Sequence, residues 1–329
     1  MSVCAEFPAG SAGQPSRVGE EWSSTDPSGG SGVTPPEPLL RRGAHHHAVE
    51  LERTLGHPVD QVWRAVTVSE LLSRWFPGAP QFELRTGGRA RFPAFAGLPA
   101  EFGEVLECEA PQLLRFSWGT DEMRIVLDPV GESTRLTIVH GFTDLPGAAS
   151  FATGWEACLE GLDAVLDGRE VANPGPRRAR HEQLADRFGL DEPELEEGAE
   201  GWTVRFARQL VCPAETAWHL FVNGGDRLVE EPPVLVVGEA LHAPQAPSVV
   251  LGHLTEVDAP TLLAFDTADG EPGDHVRLEL RPGTGHGTRL VLTVSGQVAE
   301  DREAAAAQWG QGAVRPLAAA ALAHAADGG

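Results

Sequence analysis

Three sets of residues in this 329-residue chain have types that could do chemistry: consecutive histidines, dispersed cysteines, and polar side chains set among aromatic ones. His45, His46 and His47 are adjacent, and adjacent side chains on a strand or coil do not converge on one ion. No second cluster of Cys, His or carboxylate supplies the missing ligands, so no metal is expected. Cys4, Cys108, Cys158 and Cys212 are far apart and form no CxxC pair, which reads as reduced thiols. Nucleophilic catalysis needs a Ser or Cys beside a placed His and acid. The chain has no Gly-x-Ser-x-Gly, and Cys158 falls on the apolar stripe of a helix, where a thiol is buried and inert. Gly283-x-Gly285-x-Gly287 lies between two strand patterns with no helix behind it, which predicts a hairpin turn and not a phosphate loop. No catalytic residue and no cofactor is therefore called for. His140, at the end of a strand pattern before a Gly-Phe turn, is of a type that can act as acid or base near neutrality, although a surface or hydrogen-bonded core histidine is the commoner outcome.

Composition narrows the partners. A formal net charge of −23 repels nucleic acid phosphates and anionic lipid headgroups, so neither is an expected partner. No run of 18 apolar residues is present to span a membrane. Met1 to Gly19 lacks the basic start and apolar stretch of a secretory signal, and a cytoplasmic location is expected. Lysine and tyrosine are absent while Ala, Gly and Pro abound, a bias typical of a GC-rich bacterial genome.

The elements that must position any site come in two similar blocks. Residues 1–43 are rich in Gly, Ser, Pro and Glu, and are expected to be disordered. Residues 44–170 form the first block. Residues 171–200 read as an acidic linker, with eight carboxylates between Glu182 and Glu200 against Arg187 alone, although Arg180 to Leu190 fits a short amphipathic helix. Residues 201–326 form the second block. Gly103 to Phe116 aligns without gaps on Gly252 to Phe265, sharing Gly, Glu, Ala, Pro, Leu, Leu and Phe. Pro58 and Trp63 match Pro213 and Trp218; Thr134-Arg135-Leu136 matches Thr288-Arg289-Leu290; Trp155 matches Trp309. An offset near 150 residues suits a duplicated domain and is too long for a solenoid repeat.

Within the first block, Val49 to Leu55 alternates as a strand, and Asp60 to Ser73 carries Val62, Trp63, Val66, Leu71 and Leu72 at helical spacing behind Pro58. Strands are predicted at 81–85, 89–93, 103–109, 113–118, 122–128 and 134–140. A helix is predicted over 153–166 with Trp155, Cys158, Leu159, Leu162, Val165 and Leu166 on one face. This is an α+β plan: two tandem domains, each a curved antiparallel sheet wrapped around a long C-terminal helix.

These residues resemble a known family. Pro58 to Trp63, Trp75-Phe76, Gly87-Gly88, Gly103 to Phe116, Thr134 to Thr137 and Gly154-Trp155 together look like the activator of heat-shock-protein-90 ATPase homologue-like family, of START-like, helix-grip type. The resemblance covers residues 48–168 and implies a cavity between helix and sheet, often for apolar ligands, without universal catalytic residues. The second block looks like a diverged copy. Asp226 to Val229 stands where Trp-Phe is expected, Gly238 alone represents the Gly-Gly pair, and Pro316 is expected to kink or interrupt the last helix.

With that fold, Phe92, Phe95, Phe102, Phe116, Trp118 and Trp155 are the aromatic lining candidates, and Arg91, Glu101 and His140 the polar ones. The leading expectation is a non-enzymatic module that holds a small apolar ligand in the first domain. A chaperone-associated or regulatory module with a protein partner is the first alternative. A cyclase- or hydrolase-type enzyme using His140 or Glu101 is the second.

Overall fold

The computed structural model describes residues 35–94, 99–173, 175–199, 201–224, 233–244, 246–285 and 287–327. Phe95 and the Asp226 to Val229 segment lie outside the described residues. The chain divides into two units, Met1–Gly175 and Pro176–Gly329.

In the first unit the strands are β1 (Leu39–Arg42), β2 (His47–Leu55), β3 (Gln81–Phe82), β4 (Gly88–Phe92), β5 (Glu101–Glu109), β6 (Leu113–Trp118), β7 (Asp121–Val130) and β8 (Ser133–Phe142). They form one antiparallel sheet ordered β1-β2-β8-β7-β6-β5-β4-β3. Alternation decides the buried face: β8 reads Thr134, Leu136, Ile138, His140 and Phe142 inward, with the intervening residues only partly covered. Helices α1 (Val59–Thr67) and α2 (Ser69–Leu72) follow β2, and α3 (Ala148–Leu166) closes the unit. The helix expected over 60–73 breaks at Val68, whose ψ of 117° is extended, and resumes at once, so its apolar spacing survives the break. α3 begins before the expected 153 and is buried on more than the one face expected, with Glu156, Glu160 and Asp163 left less covered. Gly161 on α3 lets Trp75 approach closely, and the Trp75 indole N–H donates to the Ala65 carbonyl at 2.9 Å. Arg53 on β2 binds Asp163 on α3 at 2.8 Å.

Residues 39–42, expected within a disordered segment, form β1. The Gly/Ser/Pro-rich composition ends just before them, and Leu39 to Arg42 pairs with the free edge of β2, where Arg41 meets Glu50 at 2.7 Å.

The second unit contains α4 (Arg178–Arg187), β9 (Glu194–Gly198), β10 (Gly201–Gln209), α5 (Ala214–Val222), β11 (Ala240–Ala243), β12 (Ala246–Asp258), β13 (Leu262–Thr267), β14 (His275–Pro282), β15 (Thr288–Gly296), α6 (Asp301–Trp309) and α7 (Arg315–Asp327). Its sheet is antiparallel and ordered β11-β12-β13-β14-β15-β10-β9, the same sequence of neighbours as β4 through β8 and β2 in the first unit. The two units therefore repeat one helix-grip plan, each with its own sheet. A π-helical turn, Gly310–Val314, joins α6 to α7. Pro316 explains it: a proline offers no N–H to the preceding turn and its ring crowds that turn's carbonyl, so the helix widens there and continues instead of stopping.

The stretch expected as a linker is ordered from Arg178 onward. Its carboxylates have structural uses that a charge count does not reveal. β9 is a fully exposed edge strand whose glutamates discourage further strand addition. Glu182 of α4 and Asp191 both bind the buried guanidinium of Arg208, which also donates to the Gln209 carbonyl at 2.6 Å.

Candidate functional site

The inner face of the first sheet ends in a band of aromatic rings. Phe92 on β4 stacks nearly parallel on Trp118 of β6, centroids 4.9 Å apart at 8°. Phe82 meets both Phe92, at 6.1 Å, and Phe116, at 4.7 Å. Phe76, which follows α2, contacts Phe116, Trp118 and Trp155 at 5.3–6.3 Å. Period two along each strand puts these rings on one face, because Phe92 pairs with Glu101, Phe116 with Val105 and Met123, and Trp118 with Asp121. Phe76, Phe92, Phe116 and Trp155 are buried, whereas Phe82 and Trp118 are partly open to solvent.

Polar groups close one end of this band. The Trp155 indole N–H, a donor only, points into His140 Nδ1 at 3.1 Å. Nδ1 is therefore the acceptor, and the proton sits on Nε2, which donates to Asp121 Oδ2 at 3.0 Å. His140 is 1% exposed and also packs edge-on against Phe151 at 4.5 Å. Both ring nitrogens are thus engaged, and the imidazole positions its neighbours with no lone pair left for a ligand. Next to this chain, Glu101 accepts from Trp118 and lies over Gly119, whose φ of +59° makes the tight turn between Trp118 and Asp121. Burial and then the nearby Asp121 charge push the Glu101 carboxyl above its ordinary value, while the Trp118 hydrogen bond opposes them. Glu101 can therefore hold a proton at higher pH than an exposed glutamate and can either donate to a ligand oxygen or accept from a hydroxyl.

The structure brings together Phe92, Glu101, Phe116, Trp118, His140 and Trp155. Arg91 is not among them: it is adjacent to Phe92 on β4, so the pleat turns it to the outer face, where it is exposed. Phe102 follows the same rule beside Glu101 and is 70% exposed. Asp121, Phe76 and Phe82 join this cluster but were not anticipated. For Asp121 the available signal was its place just beyond the Gly119-Thr120 turn, opposite Trp118.

Among the described residues no group of three or more His, Cys, Asp or Glu is arranged to hold a metal. His47 lies on β2 and its ring is 6.2 Å from Phe142; burial, then Arg42, lowers its pKa, which disfavours a charged imidazole there. Cys108 and Cys212 are free thiols, whereas Cys158, expected as a reduced thiol, is disulfide-bonded; burial raises the Cys108 thiol and, with Glu182 adding to it, pushes that of Cys212 up to about 12. A separate groove of about 480 Å³, lined by Pro58, Gln61, Arg64, Leu71 and Val165, sits among the helices of the first unit, away from the aromatic band.

Comparison with known proteins finds one family and several solved structures to which this chain is similar. Residues 56–167 match the family described as "Activator of Hsp90 ATPase homolog 1-like protein". The crystal structure of CalU16 from Micromonospora echinospora is similar at 26% identity, covering 46% of this chain and 98% of that one, with a TM-score of 0.39. EF2215 from Enterococcus faecalis, described as a conserved protein of unknown function, is 21% identical over 46% of this chain and 87% of its own, with a TM-score of 0.37. MLL2253 from Mesorhizobium loti is 25% identical over 37% and 97%, with a TM-score of 0.34. No curated protein matches the chain. Over residues 56–167, the first unit is thus similar to the family described as Activator of Hsp90 ATPase homolog 1-like protein.

Proposed function

We propose that the first unit is a non-enzymatic binding module for a small apolar, preferably aromatic, molecule held against the Phe92–Trp118 end of its sheet. The observation that carries this reading is the continuous aromatic band, partly open at Phe82 and Trp118 and bordered by the polar side chains of Glu101 and Asp121. Engagement of both His140 nitrogens favours binding over proton transfer by that residue. A protein-docking role is less well supported, because the exposed large apolar residues of this unit, Leu39, Val68, Leu84, Phe102 and Val130, lie on separate elements. Burying about 200 Å² of apolar ligand surface is worth roughly 5 kcal/mol. Association costs reduce that, and a micromolar Kd is expected.

The test is a fluorescence titration of the full chain with N-phenyl-1-naphthylamine, a neutral probe that brightens in apolar surroundings. Saturable binding is expected, and Trp118→Ala is expected to weaken it about tenfold, the ring's area and stacking both being lost. A chain that is folded by circular dichroism but shows no saturable signal at about 100-fold above micromolar probe would overturn the reading.

A further inference from the structure

We infer that the second unit has a binding site of its own, for a small neutral molecule whose apolar body carries one hydrogen-bond acceptor, such as a ketone or ether oxygen, recognised by the indole N–H of Trp309. Trp309 ends α6 and is 6% exposed, and its Nε1 is buried with no hydrogen-bond partner among the described residues. Buried donors are nearly always paired, so a native orphan requires an explanation.

The first unit provides one. Trp155 occupies the matching place on its last helix, and its N–H is satisfied by His140. Strand register identifies the counterpart of His140. His140 lies between Val49 and Met123, and Val294 lies between Val204 and Val276 in the second sheet. A valine therefore stands where the acceptor would be, and the donor has no partner among the described residues.

Room for a ligand is argued from the same register. Relative to the first unit, Met123 becomes Val276, Trp118 becomes Thr267 and Phe151, one turn before the tryptophan, becomes Ala305. All three changes reduce side-chain volume between the sheet and the last helix of this unit. One larger ring offsets part of this: Trp202 covers Gly296, the counterpart of Phe142, and its own N–H is satisfied by the Val298 carbonyl at 2.7 Å. Phe265 supplies an aromatic wall 5.9 Å from the Trp309 ring. The π-helical turn begins at the next residue, Gly310. Beside the donor the counterpart positions Val276, Val294 and Ala305 are apolar, so a charged ligand would lose hydration without compensation and a neutral acceptor is selected.

The experiment uses the full chain with 15N-labelled indoles, the Trp309 resonance being assigned by its loss in Trp309→Phe. Cyclohexanone and its near-isostere methylenecyclohexane, which lacks the oxygen, are titrated in parallel. The ketone is expected to move the Trp309 N–H resonance downfield saturably and to bind about tenfold more tightly than the alkene, the ratio one good hydrogen bond supplies. Trp309→Phe should erase that preference while leaving the other indole resonances in place. A resonance that the ketone does not displace, or one that cross-relaxes with a resident water the ketone fails to expel, overturns the inference. The wild-type ketone/alkene contrast decides the matter even if the variant folds poorly.

Discussion

Replacing each of the two matched tryptophans by phenylalanine should have unequal consequences. In Trp155→Phe the indole N–H disappears and His140 Nδ1, at 1% exposure, keeps its lone pair with nothing to accept. A buried polar atom so orphaned costs about 1–3 kcal/mol. In Trp309→Phe the missing group is a donor that has no partner among the described residues, so nothing is orphaned. The loss of ring area is common to both, since both side chains are more than nine-tenths buried. Trp155→Phe should therefore be the more destabilising by about 1–3 kcal/mol. The assay is equilibrium urea unfolding of the full chain followed by far-UV circular dichroism, each variant read from the transition it moves. In thermal scans the same difference corresponds to roughly 2–4 °C per kcal/mol for a unit of this size. A cycle sharpens the comparison: in a His140→Val background Trp155→Phe should cost no more than Trp309→Phe does in the native chain. Equal losses in the two singles, or a greater loss for Trp309→Phe, would show that the tryptophan–histidine hydrogen bond does not carry the difference assigned to it.

Other perturbations follow from the same contacts. Because the folded state holds the Glu101 carboxyl above its ordinary value, its stabilising contribution is complete below the unfolded pKa and is lost as pH rises through the folded one. Glu101→Gln should accordingly raise the urea midpoint near neutral pH and leave it unchanged at acid pH; the reverse order would contradict the assigned direction. Arg53→Ala leaves the half-buried Asp163 without its partner at 2.8 Å and should cost about 1.5–3 kcal/mol by urea unfolding. Arg208→Ala strands Glu182 and Asp191 around a site 1% exposed. A loss of about 3–5 kcal/mol is expected, with faster hydrogen exchange in α4. With its thiol pushed up to about 12, Cys212 should resist iodoacetamide near pH 8 until urea unfolds the second unit, which mass spectrometry reads directly.

The parts of the fold legible in the sequence were those whose own pattern suffices. β4, β7 and β8 alternate with period two, α3 is a long apolar helix with Trp155 on its stripe, and the Gly103 to Phe116 match exposed the repeated plan. Elements defined by their neighbours were not legible. Leu39 to Arg42 is four residues without alternation, and it is a strand because β2 presents an edge to it. Glu194 to Gly198 looks like solvated charge and is a strand for the same reason, pairing with β10. At the site, His140, Trp155, Glu101 and Trp118 could be named from residue type and position, but Asp121 required knowing that a two-residue turn faces it back toward Trp118. Arg91 was separable in principle, since it and Phe92 are neighbours on one strand and the pleat cannot turn both inward.

The repeated block carries information of a different kind from the site. Gly103 and Gly252 occupy equivalent places where a Cβ would collide with the carbonyl of the adjacent strand, Ser117 in one unit and Asp266 in the other. A register shift follows at the same distance in both, between Val105 and Glu107 and between Leu254 and Glu256. These residues recur because they fix how β5 and β12 bend over the next strand, a requirement independent of what the sheet encloses. The residues on the inner face of the sheet and on the helix over it are under no such constraint, and there the units part: His140 against Val294, Trp118 against Thr267, Phe151 against Ala305. A single substitution at the histidine position converts a satisfied tryptophan donor into an open one without disturbing any backbone hydrogen bond of the sheet. Ligand chemistry therefore cannot be carried from one unit to the other on the strength of the shared block. A compound that fits the aromatic band of the first unit gives no reason to fit the second, and each must be assayed through its own tryptophan.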